Sequence, residues 1–162
     1  MKKYEECIKS RSAANRGAYN LRPVEFVVNE GLGQNEVYLE TQGAKITCTM
    51  YPRFFLMHHR KGPYTELAKG KEMIEVNIAQ AAGVAPLDEK TLLSLQTKVQ
   101  NAVKSNVIAQ TLEEQNLCVQ ITYKIIEADC EVMSYLINVG SVALASAGIM
   151  QRGIITASSC VI

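Results

Sequence analysis

Alternation of apolar and polar positions dominates the first third of the chain. Phe26, Val27 and Val28 begin a strand that ends near Gly31-Leu32-Gly33. Residues 36–41 alternate with period two, and residues 44–51 do so again. In the second run Ile46, Cys48 and Met50 point one way and Thr47 and Thr49 the other. Gln42-Gly43 lies between the two runs and signals a tight turn, so a hairpin is predicted. Arg22-Pro23 fixes an extended entry to the first strand. Residues 52–70 break the pattern with Gly62-Pro63 and a scatter of cations, which predicts a loop. Residues 71–79, with Met73, Ile74, Val76 and Ile78, predict a fourth strand.

The period then changes. Leu92, Leu95, Val99, Ala102 and Val103 recur on one helical face, predicting a helix that runs to about Thr111. Asp88 is placed to cap its free amides, and Leu87 to staple against Leu92. Residues 117–127 alternate as a long strand, with Leu117, Val119, Ile121, Tyr123 and Ile125 on one side and Gln120, Thr122 and Lys124 on the other. A second helix is predicted over residues 131–147, ended by Gly148. Residues 153–162 are apolar and β-branched and predict a final strand. The order β-β-β-β-α-β-α-β predicts an α+β fold in which helices pack on a sheet.

Residues 132–150 carry no charge over 19 positions, long enough to raise a membrane span. Ser134, Asn138, Ser141 and Ser146 argue instead for a helix buried on most sides within a globular fold. The 162 residues suit one domain, and 48% hydrophobic with 20% charged residues excludes a disordered chain. With no Trp and three Phe, the core is expected to be aliphatic. The net charge of +1 excludes a uniformly basic nucleic-acid binder, but the charge is segregated. Residues 1–71 hold 12 Lys/Arg against 7 acids, and the remainder 5 against 9. The five cysteines are odd in number and lack CxxC spacing, which argues against a disulfide framework and a zinc site. The N-terminus shows no apolar run of the kind a signal peptide needs.

Several residues carry candidate chemistry. Arg53, Arg60, Lys61, Lys69 and Lys71 are interleaved with Tyr51, Phe54, Phe55 and Tyr64. Such a stretch suits single-stranded RNA, with cations for phosphates and rings for bases. A solvated loop with Phe54 and Phe55 docked on the core fits equally. His58-His59 has no third ligand spaced nearby, so a solvated loop is the expectation there. Asp129 is expected to cap the following helix, and Cys130, without a local His, to be an inert thiol. Lys9, Arg11 and Arg16 fall in a polar lead-in, residues 1–21, read as an N-terminal extension.

Three blocks carry a family resemblance. They are Arg22-Pro23, the run Gly31-Leu32-Gly33-Gln34-Asn35-Glu36-Val37-Tyr38-Leu39-Glu40, and Gly43-Ala44-Lys45-Ile46-Thr47-Cys48. Together they resemble the opening of RNase PH-type proteins. Residues 92–103 are similar to that family's central helix. Ile126-Glu127-Ala128-Asp129, followed by a small-residue helix ending at Ala147-Gly148-Ile149, is similar to its later block. The pattern spans about residues 20–162, with the domain itself over residues 22–162, and is most similar to the RNase PH-like ring subunits of the eukaryotic RNA exosome. The resemblance implies an RNase PH-like (ribosomal protein S5 domain 2-like) α+β domain, short at its C-terminal end.

Active members of the family degrade RNA from the 3′ end by phosphorolysis. They hold phosphate on a Gly-Gly-Thr-Arg run after an Ala-Asp. Here Asp129 is followed by Cys130, Glu131, Val132 and Met133, so the arginine position is Met133 and Glu131 repels an anion. A helical arginine of active members aligns near Asn101, and the family's catalytic aspartates lie past residue 162. The resemblance therefore implies a degenerate phosphate site, no catalysis, and no metal or cofactor. It also implies a scaffold role in a six-membered ring in the nucleus (nucleolus) and cytoplasm. Other RNase PH-like subunits, cap subunits with RNA-binding domains and single-stranded RNA are the implied partners. An active phosphate-dependent exoribonuclease and an unrelated small-ligand-binding α+β domain are the competing expectations.

Overall fold

A computed structural model describes residues 23–31, 34–54, 73–82, 87–115, 117–128 and 132–159. Eight elements follow in chain order: β1 (Val24–Gly31), β2 (Gln34–Thr41), β3 (Ala44–Phe54), β4 (Ile74–Gln80), α1 (Glu89–Asn106), α2 (Ala109–Glu114), β5 (Leu117–Ala128) and α3 (Met133–Ser146). The strands form one sheet in the order β1-β2-β3-β5-β4. All neighbours are antiparallel except β4 and β5, which run parallel and are joined through α1 and α2. This is the α+β architecture expected from the sequence.

The hairpin β2–β3 turns at Gln42-Gly43, where Gly43 has φ 122°, a left-handed value that a side chain disfavours. Alternation places Val37, Leu39, Ile46, Cys48 and Met50 on the covered face, with Val119, Ile121, Tyr123 and Ile125 beside them. Helices α1 and α3 lie on that face, α1 against β4 and α3 against β2 and β3. The opposite face carries Thr47, Thr49, Gln120 and Thr122, all half-buried. A register shift between Lys45 and Ile46 leaves Ile126 unpaired and exposed.

Two expected boundaries move, each because backbone groups find other partners. Strand β3 runs past Tyr51 to Phe54, so Pro52 and Arg53 belong to a strand and not to the loop. Strand β2 pairs with β3 only as far as Met50, so Pro52 sits where no donor is needed on that side. Helix α1 stops at Asn106 instead of near Thr111. There Arg152 N donates to the Asn106 carbonyl (2.9 Å), Ile108 N donates to that of Met150 (3.1 Å), and Val107 bridges Gln151.

The expected last strand, residues 153–162, is not formed over its described part: residues 154–159 belong to no strand, and residues 160–162 lie outside the described residues. Residues 154–159 lie along α3 instead. Ile155 N donates to Ser141 Oγ (3.0 Å), Ala157 N donates to Asn138 Oδ1 (2.7 Å), and Asn138 Nδ2 donates to the Ala157 carbonyl (2.9 Å). Side chains of α3 thus take the backbone groups that a neighbouring strand would otherwise pair.

Helix α3 is buried over most of its circumference, between the sheet and this segment. Its end is a Schellman turn, with Gly148 at φ 71°, Ile149 N donating to the Leu144 carbonyl and Gly148 N to that of Ala145. No helix of the described residues is long and apolar enough to cross a membrane.

Candidate functional site

The start of α3 is where the degenerate phosphate site was expected. Asp129, Cys130 and Glu131 lie outside the described residues. The next two positions are described. Val132 occupies the N-cap, buried, with no side-chain hydrogen bond to the free amides. Met133, at the position matched to an arginine, is half-buried and packs against the hydrophobic core. Ser134 is also buried, its Oγ 3.5 Å from that of Ser159. The first turn contains no charged side chain. The N-cap is Val132 and not Asp129, so the expected carboxylate cap does not sit at the cap position.

Of the five basic positions, Arg53 alone falls on a described backbone, next to last in β3 and opposite Cys118. Arg60, Lys61, Lys69 and Lys71 lie outside the described residues, as do His58 and His59. The register still separates Arg53 from the end of β5 that leads into α3. Arg53 meets the second residue of β5, whereas α3 follows the last, Ala128. Ten residues of extended strand put these ends about 33 Å apart. Asn101, matched to the helical arginine, is exposed on α1.

Other polar groups offer little to an anion. Lys45 lies 3.0 Å from Glu127 and 3.6 Å from Glu40, and the hydrogen bond to Glu127 raises its pKa. It is held as the cation of a carboxylate pair. Tyr38 donates to Glu40 at 3.0 Å. A shallow depression of about 240 Å³ between Pro23, Glu25, Glu40, Thr41 and Gln42 is lined by two carboxylates, the wrong sign for phosphate. The thiols of Cys48 and Cys118 are buried, and burial pushes the Cys48 pKa far up, so it stays protonated and unreactive. Among the described residues no group of three or more His, Cys, Asp or Glu is arranged to hold a metal.

Two features escaped the sequence reading. The first is the polar stripe Ser134, Asn138 and Ser141 on α3, whose i, i+4, i+7 spacing was visible but whose targets, the Ser159 hydroxyl for Ser134 and the backbone of Ala157 and Ile155 for the other two, were not. The second is Tyr123, buried at 0% exposure, whose hydroxyl lies against Gly140 with no hydrogen-bond partner. The thiol of Cys48, its cross-strand neighbour, is near enough to bias its ionisation but does not satisfy it.

No protein-family model and no curated protein sequence matches the chain. Among solved structures, the crystal structure of rice (Oryza sativa) Rrp46 is similar, with a TM-score of 0.66 at 16% sequence identity. The likeness covers 88% of this chain and 62% of the rice chain, so this chain spans less than two thirds of that protein's length. The fold is therefore the RNase PH-like fold.

Proposed function

We propose that the chain is a noncatalytic RNase PH-like subunit of an RNA exosome, a scaffold in a hexameric ring that contacts RNA without cutting it. The observation that carries this reading is Met133. At the position where the family resemblance expects the phosphate-holding arginine, a thioether is folded onto the core. An anion at the start of α3 would find no cation in that turn, and a phosphorolytic step needs phosphate fixed beside the scissile bond. The exposed amide of Asn101 supplies no charge either.

In this reading Arg53, Arg60, Lys61, Lys69 and Lys71 contact single-stranded RNA, neighbouring RNase PH-like subunits and cap subunits complete the assembly, and the protein resides in the nucleus (nucleolus) and cytoplasm. No metal or cofactor takes part. The test is direct. Incubated with single-stranded RNA and inorganic phosphate, the purified chain is expected to release no nucleoside diphosphates. Turnover that disappears when phosphate is withheld would establish an active phosphorolytic enzyme instead. Co-expression with RNase PH-like subunits is expected to yield a ring by native mass spectrometry. RNA binding by that ring is expected to weaken with salt and with the Arg53→Ala, Arg60→Ala pair.

A further inference from the structure

The two edges of the sheet are finished differently. At the β4 edge Ile74, Val76 and Ile78 are buried, and the residues that alternate with them are Glu75, Asn77 and Ala79. At the β1 edge every residue is exposed. Four of those are large and apolar: Val24 (41% exposed), Phe26 (40%), Val27 (49%) and Val28 (41%). Half of all the exposed large hydrophobic residues among those described thus sit on one strand. Strand β1 contains no Pro, Lys or Arg, the residues that usually keep an edge from pairing.

The charges on this edge are all of one sign. Register places Glu25 on the open face directly opposite Glu40, an unfavourable like-charge pair. Glu40 has Lys45 beside it, 3.6 Å away. Glu30 lies toward the other end of the strand, on the same side as Phe26 and Val28. Each face of β1 therefore offers apolar surface and one carboxylate. A second copy of β1 brings no cation, so self-pairing leaves both acids unmatched.

We infer that β1 is a strand-addition edge for a second polypeptide, which docks antiparallel with cations opposite Glu25 and Glu30 and apolar residues opposite Phe26, Val27 and Val28. Read along the partner, the pattern is cation, any residue, three apolar residues, cation. Main-chain bonds to the outer side of β1, which pairs with no other described strand, supply affinity, and the two charge pairs set register and direction. The inference is independent of RNA contact; in a ring, the strand belongs to a neighbouring subunit.

A fluorescent peptide containing Lys-Thr-Val-Ile-Val-Lys, added to the full chain, tests it by anisotropy and by residue-resolved amide exchange. Saturable binding is expected, with exchange in β1 slowed by about tenfold or more when the edge amides gain partners. The pair Glu25→Lys, Glu30→Lys is expected to weaken binding by about tenfold at low salt, and Val27→Lys to weaken it as well. Circular dichroism checks that the variants are folded, and the wild-type exchange result stands without them. Unchanged β1 exchange at millimolar peptide would overturn the inference. So would equal binding by the folded charge-reversed variant, or β1 amides already protected in the free chain. A homodimer protected at β1 would likewise overturn it, in favour of a second copy.

Discussion

Helices α1 and α3 pack against each other on the same face of the sheet, yet they are built differently. Helix α1 starts at Asp88, whose carboxylate accepts from Thr91 N at 3.3 Å, and carries Lys90 and Lys98 on its exposed side. It buries one stripe, Val99 and Val103 most deeply, with Leu92 and Leu95 partly covered. Helix α3 has no charge and no side-chain cap at its N-terminus. Sheet residues cover one side of it and residues 155–159 another. A helix that faces water on one side is held by local rules of capping and periodicity. A helix enclosed on both sides depends on what its neighbours bring, so each position on it is constrained from outside the helix.

The sharpest contrast should appear at Gly140. A methyl group there would collide with the Tyr123 hydroxyl and come within 3.2 Å of its ring carbon, with both residues fully enclosed. Gly140→Ala is expected to cost about 3 kcal/mol, the upper end of overpacking, measured by urea denaturation. The same substitution at exposed Ser94 or Asn101 of α1 should stay within about 0.5 kcal/mol. Adding Tyr123→Phe to Gly140→Ala should recover part of the loss, which a double-mutant cycle measures as coupling.

Next in size is the polar stripe. Asn138→Ala removes both bonds to Ala157 and leaves its N–H and C=O unmatched, an expected loss of about 2 kcal/mol. Amide exchange at Ala157 should rise in that variant while exchange within α1 stays as it was. Equal changes at Ala157 and within α1 would remove the distinction between the two helices.

Tyr123→Phe alone should be neutral or stabilising by up to about 1 kcal/mol, since it deletes a buried hydroxyl that has no partner. The smallest effect belongs to α1. Asp88→Ala should lower Tm slightly at neutral pH. The bond to Thr91 holds the Asp88 pKa below its ordinary 3.8. Its contribution is therefore present above that value and lost as pH falls through the lower folded value, so wild type and variant should converge in acid. A difference that persists unchanged at low pH would show that the carboxylate is not acting as a charged cap.

The contrast also separates what could be read in advance from what could not. The Gln42-Gly43 turn, the buried alternation of β3 and β5, the Asp88 cap and the Gly148 stop were all legible, because each rests on residues close together in the chain. The early end of α1 was not, since Asn106 and Val107 are claimed by residues 150–153. Nor was the fate of residues 154–159: β-branched residues at strand spacing met a helix offering Ser141 and Asn138 in place of a strand. At the candidate phosphate site, the family resemblance implied that an arginine is replaced, and folding added that Met133 packs on the core. That Arg53 lies at the end of β5 opposite to the one that leads into α3 emerged only from strand register.

By itself, the order of apolar and polar residues determined the five strands, the covered faces of β3 and β5 and the one-sided character of α1, because periodicity acts over one or two turns of chain. Tertiary structure alone decided that Asn138 and Ser141 grip a distant backbone, that Gly140 must make room for Tyr123, and that β1 lies at an edge of the sheet among the described residues. Those outcomes depend on which segments meet across long separations, and a partner far along the chain leaves no periodic trace in the residues that will receive it.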